Sequence, residues 1–131
     1  MSRMAGISVR QCMTPSPVSI TVDQTIADAG EVMRKHAIRH LPVLKGGKIV
    51  GMLTERDLRL IEILEDLDPK MIVAADAMGD VYAIPPETPL ATVVAHMERE
   101  RLDAAVIVDG EQVVGVFTTT DACRALRERL E

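Results

Sequence analysis

Hydrophobic and polar positions follow one another along the chain in runs that predict short strands and amphipathic helices. Between residues 26 and 37, apolar residues recur at intervals of three and four, which places them on one face of a helix. Thr25 and Asp28 have the spacing of a capping box at the start of such a helix. The apolar segment 18–20, just before them, predicts a short extended stretch.

The next apolar runs predict a hairpin followed by a helix. Residues 41–44 and 48–53 flank Gly46-Gly47, and two glycines form a tight turn because both accept positive φ. Pro42 predicts that the first of these strands lies at a sheet edge or begins there. A helix is predicted from about residue 54 to 64.

The second half of the chain shows the same order of elements. Thr88-Pro89 predicts an N-cap threonine followed by proline at the first helical position, and Asp109-Gly110 predicts a hairpin turn. The predicted elements are an extended stretch at 82–84, a helix from 90, strands at 104–108 and 112–117, and a helix from about 118 to 130.

This order reflects an internal duplication. Residues Gly51–Asp57 and Gly115–Asp121 share a glycine, two apolar residues, a threonine, two variable positions and an aspartate, at an offset of 64 residues. The offset holds from residue 17 to about residue 58. Before Pro17 it slips by one, so that Met13 matches Met78. A repeat at fixed offset determines the architecture of the whole chain.

We therefore predict an α+β fold of two tandem β-α-β-β-α repeats. The predicted domains are residues 1–64, with a short N-terminal arm, and residues 73–131, with a linker at 65–72. A core built from about 60 residues alone is marginal, so we expect the repeats to pack together and share one core.

Composition disfavours several classes of function. Nucleic-acid binders usually have a basic face and aromatic rings for base stacking. The net charge here is −5 and aromatic residues make up 2% of the chain, so we do not expect DNA or RNA binding. Cys12 and Cys123 are not at equivalent repeat positions and form no disulfide or zinc pattern. The first residues include no uninterrupted apolar stretch and no apolar run approaches about 18 residues, so we expect neither a signal peptide nor a membrane-spanning segment. We expect a cytoplasmic protein with reduced thiols.

The repeated motif has two chemical interpretations. Its glycine is expected to end a strand, at a point where the backbone bends or a ligand approaches. Its threonine is expected where the strand turns into a helix whose N-terminus favours anions. Asp57 and Asp121 each have two acceptor oxygens, which suit a vicinal diol such as that of ribose. The apolar pair before each threonine is suited to line a cleft for a flat ring. The alternative is structural, since Thr-x-x-Asp at a helix start is also a plain capping box.

Charged residues near the motif differ between the repeats. Arg39-His40 precede the first hairpin, whereas Asp103-Ala104 take that place in the second. If these positions face a phosphate, only the first pair neutralises it; otherwise they are solvated loop residues. His36 and His40 have a possible metal spacing, but the glutamate of a zinc-protease helix is absent and the helix is expected to end between them. We find no catalytic constellation and predict neither a metal site nor an enzyme.

The segments 9–14, 38–43 and 49–57, and in the second copy 77–79 and 113–121, resemble CBS (cystathionine β-synthase) domains. The resemblance covers nearly the whole chain and implies a standalone CBS pair, or Bateman module, with pseudo-twofold symmetry and two clefts that bind adenosyl compounds. Gly79-Asp80 stand where this pattern has Thr14-Pro15. The implied nucleotide-binding residues are Thr14, Ser19, Ile20, Arg39, His40, Met52, Thr54, Asp57, Val116, Thr118 and Asp121.

The resemblance implies a non-catalytic sensor. The expected ligands are AMP, ADP or ATP, with NAD and S-adenosylmethionine as further adenosyl candidates, and no cofactor is expected beyond them. We expect the site with Thr118 and Asp121, served by Arg39 and His40, to bind better than the site with Thr54 and Asp57. A homodimer and an unidentified effector protein are the expected partners. The alternative is an interaction or dimerisation module without a physiological nucleotide.

Overall fold

The computed structural model describes residues 6–16 and 18–131. A short 3-10 helix, Val9–Gln11, comes first. The strands and helices that follow in chain order are β1 Thr14–Pro15, β2 Ile20–Thr21, α1 Ile26–His36, β3 His40–Lys45, β4 Lys48–Thr54, α2 Glu55–Ile63, α3 Ala74–Ala77, β5 Ala83–Ile84, α4 Leu90–Glu100, β6 Ala104–Asp109, β7 Gln112–Thr118 and α5 Thr119–Leu130.

The chain forms two compact units that differ from the predicted domains 1–64 and 73–131. The first-repeat unit comprises residues 18–81, and the second-repeat unit comprises residues 82–131 together with the leading segment 6–16. The leading segment joins the second repeat because β1 pairs with β7 there. The predicted linker 65–72 lies within the first-repeat unit.

This linker segment packs against the start of α1. The Ile26 N–H donates to the carbonyl of Ile72 at 2.9 Å, and the Ala27 N–H donates to that of Pro69 at 3.0 Å. The isolated bridge between Thr25 and Val73 continues the contact. The segment therefore provides acceptors for N–H groups of the first helical turn, which have no partner inside the helix.

The first-repeat unit contains a three-stranded sheet in the order β2-β3-β4. β2 pairs parallel with β3, and β3 pairs antiparallel with β4 through the Gly46-Gly47 turn. Both glycines have positive φ, at 58° and 81°, which confirms the hairpin prediction.

The second-repeat unit contains a four-stranded sheet in the order β1-β7-β6-β5. β5 pairs parallel with β6 and β6 pairs antiparallel with β7, as their counterparts do in the first repeat. Even the register shift recurs, between Val43 and Leu44 in one sheet and between Ile107 and Val108 in the other. The duplication predicted from sequence is thus present in the strand pairing.

Each unit has its own core cluster, where the sequence predicted one shared core. In the first-repeat unit, side chains of both α1 and α2 pack on the sheet around Leu41, Val43 and Leu53. In the second-repeat unit the cluster includes Phe117 and also Val9 from the leading segment. The leading segment thus contributes apolar area to the core that it joins.

Pro42 does not lie at a sheet edge, so that prediction was wrong. It is the third residue of β3, the central strand of its sheet, and lies opposite Met52. Both backbone groups of Met52 bond instead to Gly79, at 3.1 and 2.9 Å. Because Met52 is bonded elsewhere, the missing N–H of Pro42 removes no bond from the β3–β4 ladder.

The predicted N-cap of the second-repeat helix was wrong by one residue. Pro89, not Thr88, is the N-cap of α4, and the Thr88 hydroxyl donates to the Pro85 carbonyl at 2.8 Å. The repeat offset itself pairs Pro89 with Thr25, the N-cap of α1. The predicted Thr25–Asp28 capping box is confirmed, with the Asp28 N–H donating to Thr25 Oγ1 at 3.1 Å.

The motif glycines lie inside their strands, so the prediction that they end a strand was also wrong. A Cβ on Gly51 would lie 2.5 Å from Met78 Sδ and 3.0 Å from the Gly79 carbonyl oxygen. A Cβ on Gly115 would lie 3.0 Å from the Thr14 carbonyl oxygen and would also clash with Met13 Sδ. Glycine is required because a neighbouring backbone passes directly over it.

Among the helices of the described residues, none combines the length and the apolar character needed to cross a bilayer.

We expect Gly51→Ala and Gly115→Ala to lower the free energy of unfolding by about 1–3 kcal/mol each, because the added methyl displaces a methionine and a backbone carbonyl. Gly79→Ala is the control, since nothing lies within 4 Å of its Cβ position. Urea denaturation followed by circular dichroism measures both effects. Equal stability of all three variants and the wild type would contradict the close approach.

Candidate functional site

The repeated motif lies at the same junction in both units. Thr54 ends β4 and caps α2, and Thr118 ends β7 and caps α5. Asp57 and Asp121 follow one turn into their helices. The predicted passage from strand to helix at the threonine is thereby confirmed, and it places a carboxylate beside the first turn of each helix.

In the first-repeat unit the motif forms a capping box. The Thr54 N–H donates to Asp57 Oδ2 at 2.9 Å, and the Asp57 N–H donates to Thr54 Oγ1 at 3.2 Å. Asp57 is half-buried. The structural interpretation of the motif is therefore realised here, and it leaves the carboxylate at the surface of the unit.

In the second-repeat unit the carboxylate is more fully engaged. Asp121 is 3% exposed, and its Oδ2 accepts the Thr118 N–H at 2.8 Å. Its Oδ1 accepts the Thr14 hydroxyl at 2.7 Å and also a hydrogen bond from the Arg124 guanidinium. Both oxygens of Asp121 thus already have donors from its own unit.

The helix N-termini are less open to anions than the sequence suggested. The Glu55 N–H donates to the Arg39 carbonyl at 2.9 Å, and the Thr119 N–H donates to the Asp103 carbonyl at 3.1 Å. The residues before the hairpins therefore contribute backbone carbonyls to the helix starts, and fewer N–H groups remain for a ligand.

The apolar candidates of the motif are buried. Met52 and Val116 are 6% and 7% exposed, and neither belongs to the core cluster of its unit. Alternation along the strand directs Leu53 and Phe117 into the cores, so Met52 and Val116 lie on the opposite face of each sheet.

Ser19 and Ile20 precede and begin β2. Ser19 is half-buried, whereas Ile20 is 2% exposed and belongs to the core of the first-repeat unit. The Ile20 side chain is therefore a core side chain, and only its backbone remains for contact with a ligand.

The basic pair lies just before the β3–β4 hairpin. The Arg39 side chain is 82% exposed, and its Nε lies 3.7 Å from Glu55 Oε2. His40 is half-buried at the start of β3. His36 ends α1, which confirms that the helix terminates between the two histidines.

Arg124 contacts a candidate site residue and was not among the residues that the sequence predicted. It follows Asp121 by three positions on α5, and its guanidinium pairs with the buried carboxylate. The hydrogen bond to Asp121 and the nearby negative charge raise the pKa of Arg124. The spacing of three on one helix face was the available signal, but it also occurs in ordinary surface ion pairs.

Potential metal ligands do not gather in the part of the chain that the structure describes. Within residues 6–16 and 18–131, no group of three or more His, Cys, Asp or Glu side chains is placed to hold a metal ion. Both cysteines are free thiols. Cys12 is half-buried near Arg129 and Arg124, and burial raises the pKa of its thiol.

We expect Asp121→Ala to lower the free energy of unfolding by about 3 kcal/mol, because it removes charge-assisted hydrogen bonds from a buried position. Asp57→Ala should remove about 1 kcal/mol, the typical value of a capping interaction. Urea titration of the two variants measures the difference. Equal losses would contradict the unequal engagement of the two carboxylates.

We expect Cys12 to react with iodoacetamide several-fold more slowly than the exposed Cys123 at pH 7. The raised pKa of the Cys12 thiol keeps little of it as thiolate at that pH, and its rate should increase as pH rises toward that pKa. Mass spectrometry of Cys12→Ser and Cys123→Ser variants assigns each rate. Faster labelling of Cys12 at pH 7 would contradict this assignment.

Comparison with known proteins identifies the repeats. The family model described as "CBS domain" matches residues 9–62 and again residues 74–128. Among curated proteins, the CBS domain-containing protein YhcV of Bacillus subtilis is 27% identical over 114 residues, which cover 87% of this chain and 81% of that protein.

Solved structures agree with this match. The CBS domain pair of protein MJ0100, in complex with 5′-methylthioadenosine and S-adenosyl-L-methionine, superposes with a TM-score of 0.82 at 23% identity, covering 94% of this chain and 98% of that one. The CBS domain of a bacterial CNNM/CorC family Mg²⁺ transporter, in complex with ATP, gives 0.81 at 24% identity, covering 95% and 89%. The predicted α+β pair of repeats is confirmed, and the chain belongs to the CBS domain family, of which it carries two copies.

Proposed function

We propose that this protein is a non-catalytic regulatory module that binds an adenosyl ligand through its repeated Gly-x-x-Thr-x-x-Asp motif. AMP, ADP and ATP are the first candidates, followed by NAD and S-adenosylmethionine. In this proposal the ligand acts as a signal and is released unchanged. The threonine and the aspartate of each motif act as helix caps and as ligand contacts, not as a nucleophile and its base.

The observation that carries the proposal is the position of Asp57. Its carboxylate is half-buried at the surface of the first-repeat unit, at the junction between β4 and α2. A carboxylate accepts two hydrogen bonds side by side, so it matches the two adjacent hydroxyls of a ribose. Hydrogen bonds to a charged acceptor contribute about 1.5–3 kcal/mol each, enough to select a nucleoside over a free base.

The ligands of two structural neighbours support the adenosyl class. One is bound to 5′-methylthioadenosine and S-adenosyl-L-methionine, and the other to ATP. These ligands share adenine and ribose and differ in the group attached to the ribose. The common part would be recognised by the motif, while Arg39 and His40 would favour ligands that carry phosphate.

Regulation requires that binding change an equilibrium of the protein. We propose a cytoplasmic homodimer whose association or shape responds to the ligand, and which acts on a separate effector protein. A ligand shifts such an equilibrium only by its difference in affinity for the two states. No nucleic acid or membrane enters this proposal.

A second candidate function is an interaction or dimerisation module without a physiological nucleotide. The capping hydrogen bonds within each motif favour it, because they give the threonine and aspartate a structural role without any ligand. Exposed apolar side chains on α2 and after it also favour it, with Leu60 53%, Ile63 71% and Met71 79% exposed. In this second candidate function, the exposed apolar surface binds the partner and the motif has only a structural role.

Thermal unfolding with AMP, ADP, ATP, NAD, S-adenosylmethionine and GTP separates the two candidates. A ligand at a hundred times its Kd stabilises the folded state by about 2.7 kcal/mol, which for a protein of this size raises Tm on the order of 5–15 °C. We expect such a shift with at least one adenosyl ligand. GTP has the same ribose and phosphates, so comparing it with ATP measures what the adenine ring contributes.

The control is Asp28→Asn, which removes a capping-box aspartate of α1 that lies outside the motif. It should lower the starting Tm and leave the ligand-induced shift unchanged, whereas an Asp57→Asn, Asp121→Asn double variant should lose the shift. If none of the adenosyl ligands raises Tm, the interaction module becomes the better account, and light scattering should then show dimers without ligand.

A further inference from the structure

The two motif aspartates occupy equivalent repeat positions but differ in the donors around them. Asp121 is buried and accepts from Thr14, Thr118 and Arg124. Among the described residues, Asp57 accepts one hydrogen bond, from the Thr54 N–H to Oδ2. The two copies of the motif therefore differ in how many hydrogen-bond donors their carboxylates have.

The difference follows from one position on the segment that passes over the motif glycine. Thr14 lies opposite Val116 in the second-repeat unit, and Gly79 lies opposite Met52 in the first. Val116 and Met52 are related by the repeat offset of 64, so Thr14 and Gly79 are structural equivalents. The hydroxyl that occupies Asp121 Oδ1 has no counterpart at Gly79, because glycine has no side chain.

The charged donor is also missing from the first repeat. Arg124 is related by the same offset to Leu60, an apolar residue that is 53% exposed. Neither the hydroxyl nor the guanidinium found at Asp121 is thus provided at the equivalent positions around Asp57. Both differences leave Asp57 with fewer donors than Asp121.

We infer that Asp57 is the motif carboxylate available to a ligand diol, and that Thr14 and Arg124 keep Asp121 occupied. The position shared by Thr14 and Gly79 determines which motif binds. A diol at Asp121 must displace an existing hydroxyl and an existing ion pair, so it exchanges hydrogen bonds. A diol at Asp57 adds hydrogen bonds to an oxygen that has none from the described protein groups. This inference rests on the proposed function.

This inference gives the Asp57 motif the higher ligand affinity. The charge pattern alone predicts the opposite order. The charge pattern of the sequence favoured the site with Thr118 and Asp121. The structure adds the hydroxyl of Thr14 and the guanidinium of Arg124, and these compete directly with a ligand for the same carboxylate oxygen. Binding measurements on matched variants decide between the two orders.

The experiment is isothermal titration calorimetry of the full chain with AMP, ATP and S-adenosylmethionine as separate probes. We expect one equivalent of the tightest probe to bind the wild type. Asp57→Asn should weaken it about tenfold or more, because losing a charge-assisted hydrogen bond of about 1.4 kcal/mol corresponds to tenfold. Asp121→Asn should weaken it less. A larger loss with Asp121→Asn than with Asp57→Asn would overturn the inference and leave the proposed function standing.

Gly79→Thr transfers the occupying hydroxyl to the first repeat. The Cβ of the new side chain has room, since nothing lies within 4 Å of that position at Gly79. We expect Gly79→Thr to weaken probe binding about tenfold, and the isosteric Gly79→Val to weaken it less. If valine weakens binding as much as threonine, occupation by a hydroxyl is not the cause. The reciprocal Thr14→Val, Arg124→Leu variant should gain a second equivalent of probe, and an unchanged stoichiometry would count against the inference.

A measurement without ligand separates failure of this inference from failure of the proposed function. In a double-mutant cycle, Thr14→Val and Asp121→Asn should lower Tm non-additively, because they remove the same hydrogen bond. If no probe binds the wild type, the proposed function fails and the ligand part of the inference fails with it. If probes bind but the cycle is additive, the occupation of Asp121 by Thr14 is refuted on its own.

Discussion

The structure of each unit depends on one close backbone approach. A short segment crosses the motif glycine at a distance that excludes any side chain, with Thr14 over Gly115 in one unit and Gly79 over Gly51 in the other. Met13 and Met78 fill the space beside it. Because this contact determines where the segment lies, it also determines which side chain reaches the motif aspartate. The glycine, the threonine and the aspartate of the motif are thus parts of one arrangement.

Both repeats have this arrangement, but they differ in the residues around the motif aspartate. The hairpins, their register shifts and the helix-starting threonines are the same in both repeats. The variation lies where Thr14 is replaced by Gly79, and Arg124 by Leu60. A change at these positions leaves the core untouched and alters the hydrogen bonds of a carboxylate. Two copies of one motif can in this way acquire different affinities without a change of fold.

Local pattern was enough to predict most elements, because helices and hairpins are formed by residues close in sequence. The Thr25 capping box and the Gly46-Gly47 turn are confirmed on that basis. The sequence could not show that the segment 6–16 packs with residues 82–131, since that pairing joins residues about a hundred positions apart. The edge prediction for Pro42 failed for a related reason. Proline is tolerated in this central strand because the residue opposite it, Met52, hydrogen-bonds to Gly79, and that long-range contact is not visible in the sequence of the strand itself.

The candidate site was predicted in part. The motif threonines and aspartates were identified, and the structure places each pair together at a helix start. The engagement of Asp121 by Thr14 and Arg124 was not foreseen, because each contact is ordinary in isolation and only their convergence on one oxygen gives them meaning. The pattern also did not show that the Ile20 side chain belongs to the core, which leaves only the Ile20 backbone for contact with a ligand.

We propose that the residue passing over the motif glycine decides which aspartate receives the ligand. A crystal structure of the chain grown with its tightest adenosyl ligand tests this most directly. We expect the ribose hydroxyls to donate to Asp57, while the Thr14 hydroxyl still donates to Asp121. A ribose on Asp121, with Thr14 and Arg124 displaced and Asp57 unoccupied, would contradict it.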